Sequence, residues 1–165
     1  MKIVITGDTH IPSRGSVLPS RLTNECITAD LVLHTGDWQS FEVVQMLSEF
    51  AEVKGVSGNV DGEDIKEQFP LQQVVQAGHV KIGLVHGHGE KKTTEKRAIE
   101  AFEGEPLDVI IFGHSHIPVL RYMNKTLLLT PGSPTDKRKL PHYSFAILHI
   151  EDEIRAELIF FDDKT

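Results

Sequence analysis

The chain has 165 residues, 39% of them hydrophobic and 25% charged, proportions of an ordinary globular chain that can bury a core as one domain over residues 1–165. Its formal charge of −7 argues against strong nucleic-acid binding, which usually needs a basic face, so no nucleic-acid partner is expected, and its single Cys26 excludes an intrachain disulfide or a Cys-rich structural zinc site. No apolar run approaches the roughly 20 residues that span a bilayer, so no membrane partner is expected.

Met1-Lys2 lead straight into the apolar run 3–5, which carries on to the first acidic residue, Asp8. That start does not read as a secretion leader, and with the unpaired cysteine it makes a cytoplasmic location the expectation. The run is short, β-branched and bounded by Gly7, which predicts a buried strand. Residues 11–19 are rich in Pro, Ser and Gly and read as a loop. A helix is expected over 21–29 with Ser20 as its cap. A strand follows at 31–33, then an amphipathic helix over 41–50 capped by Ser40. A third strand is expected at 53–56 and a short helix over 63–69, stopped by Pro70. Strands at 80–85 and 109–112 flank a helix over 94–102 that Gly104 ends. The last third changes character. Strands at 126–129, 144–150 and 155–161 follow one another, the last two joined by a turn at Glu151-Asp152-Glu153.

Five polar clusters stand at the ends of the first five runs. They are Asp8-Thr9-His10, Gly36-Asp37, Gly58-Asn59, His86-Gly87-His88 and Gly113-His114-Ser115-His116. The intervals between them are each close to the roughly 30 residues of a strand-helix-strand unit. Right-handed crossovers would bring such ends to one edge of a sheet, where open α/β sheets bind their ligands. Strand-helix units followed by hairpins predict an α/β fold with a mixed sheet, or two sheets packed together.

Seven groups are available: Asp8, His10, Asp37, Asn59, His86, His114 and His116. Carboxylate, amide and imidazole suit Mn²⁺, Fe²⁺, Zn²⁺, Co²⁺ or Ni²⁺. Seven is more than one ion takes while keeping a position open for substrate, and two ions sharing a carboxylate use them naturally. A hydroxide bridging such a pair would be a nucleophile, and the ions would stabilise charge on a transferring phosphoryl group.

These clusters resemble the signature of the calcineurin-like metallophosphoesterase superfamily, which reads D-x-H, G-D, G-N, H and G-H-x-H. Here it stands as Gly7-Asp8-Thr9-His10, Gly36-Asp37, Gly58-Asn59-Val60-Asp61, His86-Gly87-His88 and Gly113-His114-Ser115-His116. The chain is most similar to the small YfcE-like group related to the retromer subunit Vps29, and Thr130-Pro131-Gly132-Ser133 resembles that group's N-P-G-S segment. The resemblance implies a two-sheet mixed β-sandwich flanked by helices. It implies Asp8, His10 and His116 on a first ion, Asn59, His86 and His114 on a second, and Asp37 bridging both. Manganese is the first expectation, with iron, zinc, cobalt, nickel and magnesium as alternatives. The implied activity is hydrolysis of a small phosphate ester, a phosphodiester before a monoester. A non-catalytic Vps29-like scaffold is the other class, and the filled ligand set favours the enzyme. Homo-oligomerisation is left open.

One position departs from the pattern. Many superfamily members carry a His where this chain has Val60, which cannot protonate a leaving group. His88 is the best local substitute and Asp61 a weaker one. The remaining side chains get plainer readings. His34 is a core or supporting histidine, and His79, His142 and His149 sit on loops or an outer face. Trp38 is packing. Lys91, Lys92, Lys96 and Arg97 form a solvated helix face. The run Lys137-Arg138-Lys139 is first a solvated loop and second an anion contact.

Overall fold

The computed structural model describes residues 1–165. In chain order the elements are β1 (Lys2–Thr6), α1 (Ser20–Cys26), β2 (Leu31–His34), α2 (Phe41–Ser48), β3 (Glu52–Gly55), α3 (Glu63–Gln68), β4 (Gln72–Ala77), β5 (Val80–Val85), α4 (Thr94–Ala101), β6 (Val109–Ile111), β7 (Val119–Met123), β8 (Thr126–Thr130), β9 (Tyr143–Ile150) and β10 (Ile154–Phe161). They build two five-stranded mixed sheets, ordered β10-β9-β1-β2-β3 and β4-β5-β6-β8-β7. The expected two-sheet sandwich flanked by helices is the observed fold.

The period of two along each strand decides the layers. Ile3 and Ile5 point into the space between the sheets, as do Leu31 and Leu33, and meet Val109, Ile111, Leu127 and Leu129 of the opposite sheet. The residues between them point the other way. Val4 and Val32 pack under Leu22, Val43, Leu47 and Ile65 of the helices on the first sheet. Ile110 and Leu128 pack under Ala98 and Phe102 at α4. Buried on both faces, these strands are continuously apolar, which is why they were legible as runs.

Two strands escaped the sequence reading. β4 is an edge strand that exposes Gln72, Val74 and Gln76 and buries only Val75 and Ala77, so its glutamines interrupt the apolar signal. β7 is the opposite edge, with Leu120, Arg121 and Tyr122 exposed. β4 pairs antiparallel with β5 through the turn at Gly78 and His79, in register Ala77 with Val80. This hairpin replaces the crossover expected between Asn59 and His86. The chain there leaves one sheet and founds the other. β1, β2 and β3 are parallel neighbours in the first sheet, and β5 and β6 in the second.

The helices differ in detail. α1 ends at Cys26, three residues short of the expected end. Pro19 stands at its cap, while the Ser20 hydroxyl donates to the Thr165 carbonyl at 2.9 Å. Ser40 does stand at the cap of α2, but its side chain makes no capping bond. The one side-chain cap is Thr93, whose hydroxyl accepts from Lys96 N–H at 3.2 Å at the start of α4. The turn at Glu151-Asp152-Glu153 joins β9 and β10 as expected.

Candidate metal centre

The ends of β1, β2, β3, β5 and β6 meet at one end of the sandwich, and backbone hydrogen bonds lace the loops leaving them. Asp8 N–H donates to the Gly36 carbonyl at 2.9 Å, and His10 N–H to the Asp37 carbonyl at 3.1 Å. Gly113 N–H donates to the His86 carbonyl at 3.0 Å, tying β6 to β5. The turns are sharp. Asp8, His10, Asp37, His114 and His116 all have φ between +45° and +70°. Left-handed backbone is uncommon for residues with a Cβ and concentrates where function dictates geometry. Gly36 must be glycine, because at φ +100° a Cβ would stand 2.8 Å from His86 Nδ1.

Two clusters result, Asp8 with His10 and His116, and Asp37 with His86 and His114, each able to hold a metal ion. In the first, Asp8 Oδ1 lies 3.6 Å from His116 Nε2 and 4.0 Å from His10 Nε2. In the second, Asp37 Oδ2 lies 3.2 Å from His86 Nε2. The same Asp37 oxygen is 3.6 Å from His10 Nε2, so this carboxylate stands between the clusters. Asn59 Oδ1 is 3.1 Å from both His86 Nε2 and His114 Nδ1 and belongs to the second.

Supporting hydrogen bonds aim the ligand atoms. His86 Nδ1 donates to the Thr35 carbonyl at 2.7 Å, and His116 Nδ1 to the Asp136 carbonyl at 2.8 Å. Each bond leaves Nε2 with the lone pair, facing the cluster. Asp8 Oδ2 accepts from His114 N–H at 3.0 Å, which turns Oδ1 inward. The Ser133 hydroxyl donates to the Asp8 carbonyl at 2.8 Å and the Thr135 hydroxyl to the Thr9 carbonyl at 2.6 Å, so the segment after Pro131 clamps the first loop.

The charges are out of balance without a cation. Asp8 Oδ1 and His10 Nε2 are buried and have no hydrogen-bond partner, a costly state for a carboxylate oxygen and an imidazole nitrogen. Burial pushes the Asp8 carboxyl up to about 7 and drives His114 and His116 down to about 4. Burial opposes ionisation of Asp37 too, but the hydrogen bond and charge of His86, the Val60 N–H and the charge of His10 together outweigh it and hold the carboxyl at about 2. Burial lowers His86 too, but the bond and charge of Asp37, the charge of Asp8 and the bond to the Thr35 carbonyl together outweigh it and raise the imidazole. Neutral imidazoles facing carboxylate oxygens form the donor set that a divalent ion completes. The residues present therefore fit metal ions.

Other expectations resolve at the same site. Asp61 is buried and clamps a loop. Its Oδ2 accepts from Gly58 N–H at 2.7 Å and Asp37 N–H at 2.9 Å, and its Oδ1 from Gln39 N–H at 2.8 Å. With both oxygens so engaged it anchors the second-cluster loops and is no leaving-group acid. Val60 is 45% exposed and its N–H donates to Asp37 Oδ1 at 3.1 Å. His88 is exposed, with its ring 5.4 Å from that of His86 and 6.3 Å from that of His114. Burial and the neighbouring His86 hold His88 below the usual imidazole range.

His34 is a supporting histidine. Its Nδ1 accepts from Gly36 N–H at 3.1 Å, so Nε2 carries the proton and faces the Thr9 hydroxyl at 3.2 Å. Trp38 is packing, stacked 3.6 Å from His34 and 4.6 Å from Phe69. Arg97 departs from the solvated-face reading, because its Nε donates to the Gly87 carbonyl at 2.8 Å and pins the His86-Gly87-His88 loop. Asp136 and Thr35 also went unrecognised. Thr35 acts through its backbone carbonyl, which no side-chain pattern announces.

The model of the calcineurin-like phosphoesterase superfamily domain matches residues 1–153. A probable metallophosphoesterase of Methanocaldococcus jannaschii is 33% identical over 160 residues, covering 96% of this chain and 81% of that protein. Among solved structures, wild-type Vps29 from Entamoeba histolytica, complexed with zinc, superposes with a TM-score of 0.76 at 25% identity, covering 97% of this chain and 99% of that one. An archaeal phosphodiesterase superposes with a TM-score of 0.73 at 26% identity, covering 96% of this chain and all of that one.

Proposed function

The chain belongs to the calcineurin-like phosphoesterase superfamily, and from that premise we propose that it is a two-metal phosphodiesterase acting on a small phosphate ester in the cytoplasm. The observation that carries this reading is the position of Asp37 Oδ2, 3.6 Å from His10 Nε2 and 3.2 Å from His86 Nε2, a carboxylate oxygen placed to serve two clusters at once. Asp8, His10 and His116 would hold one ion, and Asn59, His86 and His114 the other, with Asp37 shared. Manganese suits this ligand set, and the zinc carried by the Entamoeba Vps29 structure supports zinc as the alternative. Bound ions would supply an activated water nucleophile and offset the charge that develops on a transferring phosphoryl group.

The chain's own groups do the rest. The Thr35 and Asp136 carbonyls fix which imidazole nitrogens face the site. Asp61 holds Asp37 and Gly58 in place through their N–H groups. His88, exposed beside His86 and His114, contacts the substrate as a neutral hydrogen-bonding ring. With Val60 where many superfamily members carry a histidine, departure of the leaving group relies less on an acid, which favours ester oxygens that leave readily. The likeness to an archaeal phosphodiesterase supports diesters over monoesters.

A second reading, a Vps29-like interaction scaffold, is favoured by the Vps29 neighbour. The test is turnover of paired diester and monoester substrates by manganese-loaded protein. Hydrolysis of diesters at the higher kcat/KM supports the proposal. Preference for monoesters moves it to a phosphomonoesterase, and ion binding without turnover of either moves it to the scaffold.

A further inference from the structure

Of the basic residues 137–139, Arg138 turns toward the metal ligands. Lys137 Nζ donates to the Pro141 carbonyl at 3.4 Å and sits 4.8 Å from the centre of the Tyr143 ring, away from the site. Arg138 Nη2 instead lies 3.2 Å from His116 Nε2. Since His116 Nδ1 donates to the Asp136 carbonyl, Nε2 is the acceptor and the guanidinium the donor. The loop holds Arg138 in that place. Its φ is +49°, and its N–H donates to Asp136 Oδ1 at 3.2 Å. The other Asp136 oxygen pairs with Arg14 Nε at 3.1 Å. Arg138 is exposed at the edge of the first cluster, and the Asp136 carboxylate beside it is taken up by Arg14 and by Arg138's own N–H rather than by its guanidinium.

We propose that Arg138 binds the phosphoryl oxygens of the substrate. A cation held by the first cluster takes the lone pair of His116 Nε2, and its charge repels the guanidinium from that nitrogen. An anion beside the cluster is the partner that suits both charges. The planar fork of an arginine donates two parallel N–H bonds to a phosphoryl group, a match that the single point charge of a lysine does not offer. Arg138 thus selects for an anionic ester and orients it over the site. This rests on the phosphoesterase reading above.

The test uses the full chain loaded with Mn²⁺, as wild type, Arg138→Lys and Arg138→Ala. Ions bound per chain, the affinity for inorganic phosphate by calorimetry, and KM and kcat on a diester are measured for each. Arg138→Ala is expected to bind as many ions as wild type, to weaken phosphate binding by about 10- to 100-fold, the range of a lost hydrogen bond to a charged group, and to raise KM. Arg138→Lys falls between the two. Unchanged phosphate affinity in fully loaded Arg138→Ala overturns the assignment. So does a loss of affinity that tracks loss of an ion, which would make Arg138 a support for His116 alone. A wild-type protein that takes up no ions overturns the phosphoesterase reading itself.

Discussion

His86 faces Asp37 with its Nε2 3.2 Å from Oδ2, while its Nδ1 is committed to the Thr35 carbonyl at 2.7 Å. Two acceptors at that distance need something positive between them. In metal-free protein a proton supplies it, which is why His86 is raised and Asp37 is held at about 2. A cation bound by this cluster would take the proton's place.

Metal uptake therefore releases protons. Asp8, pushed up to about 7 by burial, and His86, raised above its ordinary value, are the sources. Both hold a proton more tightly than an ordinary group of their kind and must lose it to bind an ion. Mn²⁺ affinity is expected to fall steadily from pH 8 to pH 5.5. Calorimetric titration in two buffers of different ionisation enthalpy counts the protons released.

The metal-free fold carries a related signature. A carboxyl whose folded value lies above its unfolded one stabilises the fold below its unfolded value near 3.8, and that contribution is lost as pH rises through the folded value near 7. Metal-free protein should thus lose stability between about pH 4 and pH 7 on account of Asp8. Mn²⁺ restores it, by about 2.7 kcal/mol at a free concentration 100 times Kd. In a domain of this size that is about 5–10 °C in melting temperature, larger at pH 7.5 than at pH 5.5. Asp8→Asn should melt higher than wild type at pH 7.5 without metal and respond less to Mn²⁺. Differential scanning calorimetry of the two proteins reads both effects.

Asp61→Asn tests a residue that touches no ligand lone pair. The amide can accept at one end only, so at least one of the Asp37, Gly58 and Gln39 N–H groups loses its acceptor. The expected cost is about 1–3 kcal/mol in urea unfolding. Ion affinity falls by about 10-fold or more, as for other supporting residues around metal ligands.

His88→Ala should lower kcat/KM by roughly 10-fold on diesters, since one hydrogen bond to substrate is lost. Equal rates for variant and wild type on diesters of both good and poor leaving groups would remove His88 from the site.

Much of this is legible because buried strands are continuous apolar runs and their ends carry the candidate ligands. Ile3 to Ile5 announces β1, and Asp8 follows it. The edge strands β4 and β7 are not, since Gln72, Gln76, Arg121 and Tyr122 face solvent and break the apolar signal. The same holds within the site. The seven candidate ligands stand in a readable order, whereas Thr35 works through a carbonyl and Arg97 through a bond to Gly87. By residue type Asp61 is as fit for an acid as for an anchor. Only the three N–H groups around it reveal an anchor.

The shared carboxylate is the centre of the proposal, and metal stoichiometry with turnover in Asp37→Asn tests it most directly. Wild-type protein is expected to hold two ions per chain and to hydrolyse a diester, matching the two clusters. Asp37→Asn is expected to hold fewer ions and to lose at least about 100-fold in kcat, the scale on which an electrostatic catalytic group acts. Turnover at the wild-type rate in Asp37→Asn, or in wild-type protein stripped of metal, contradicts it.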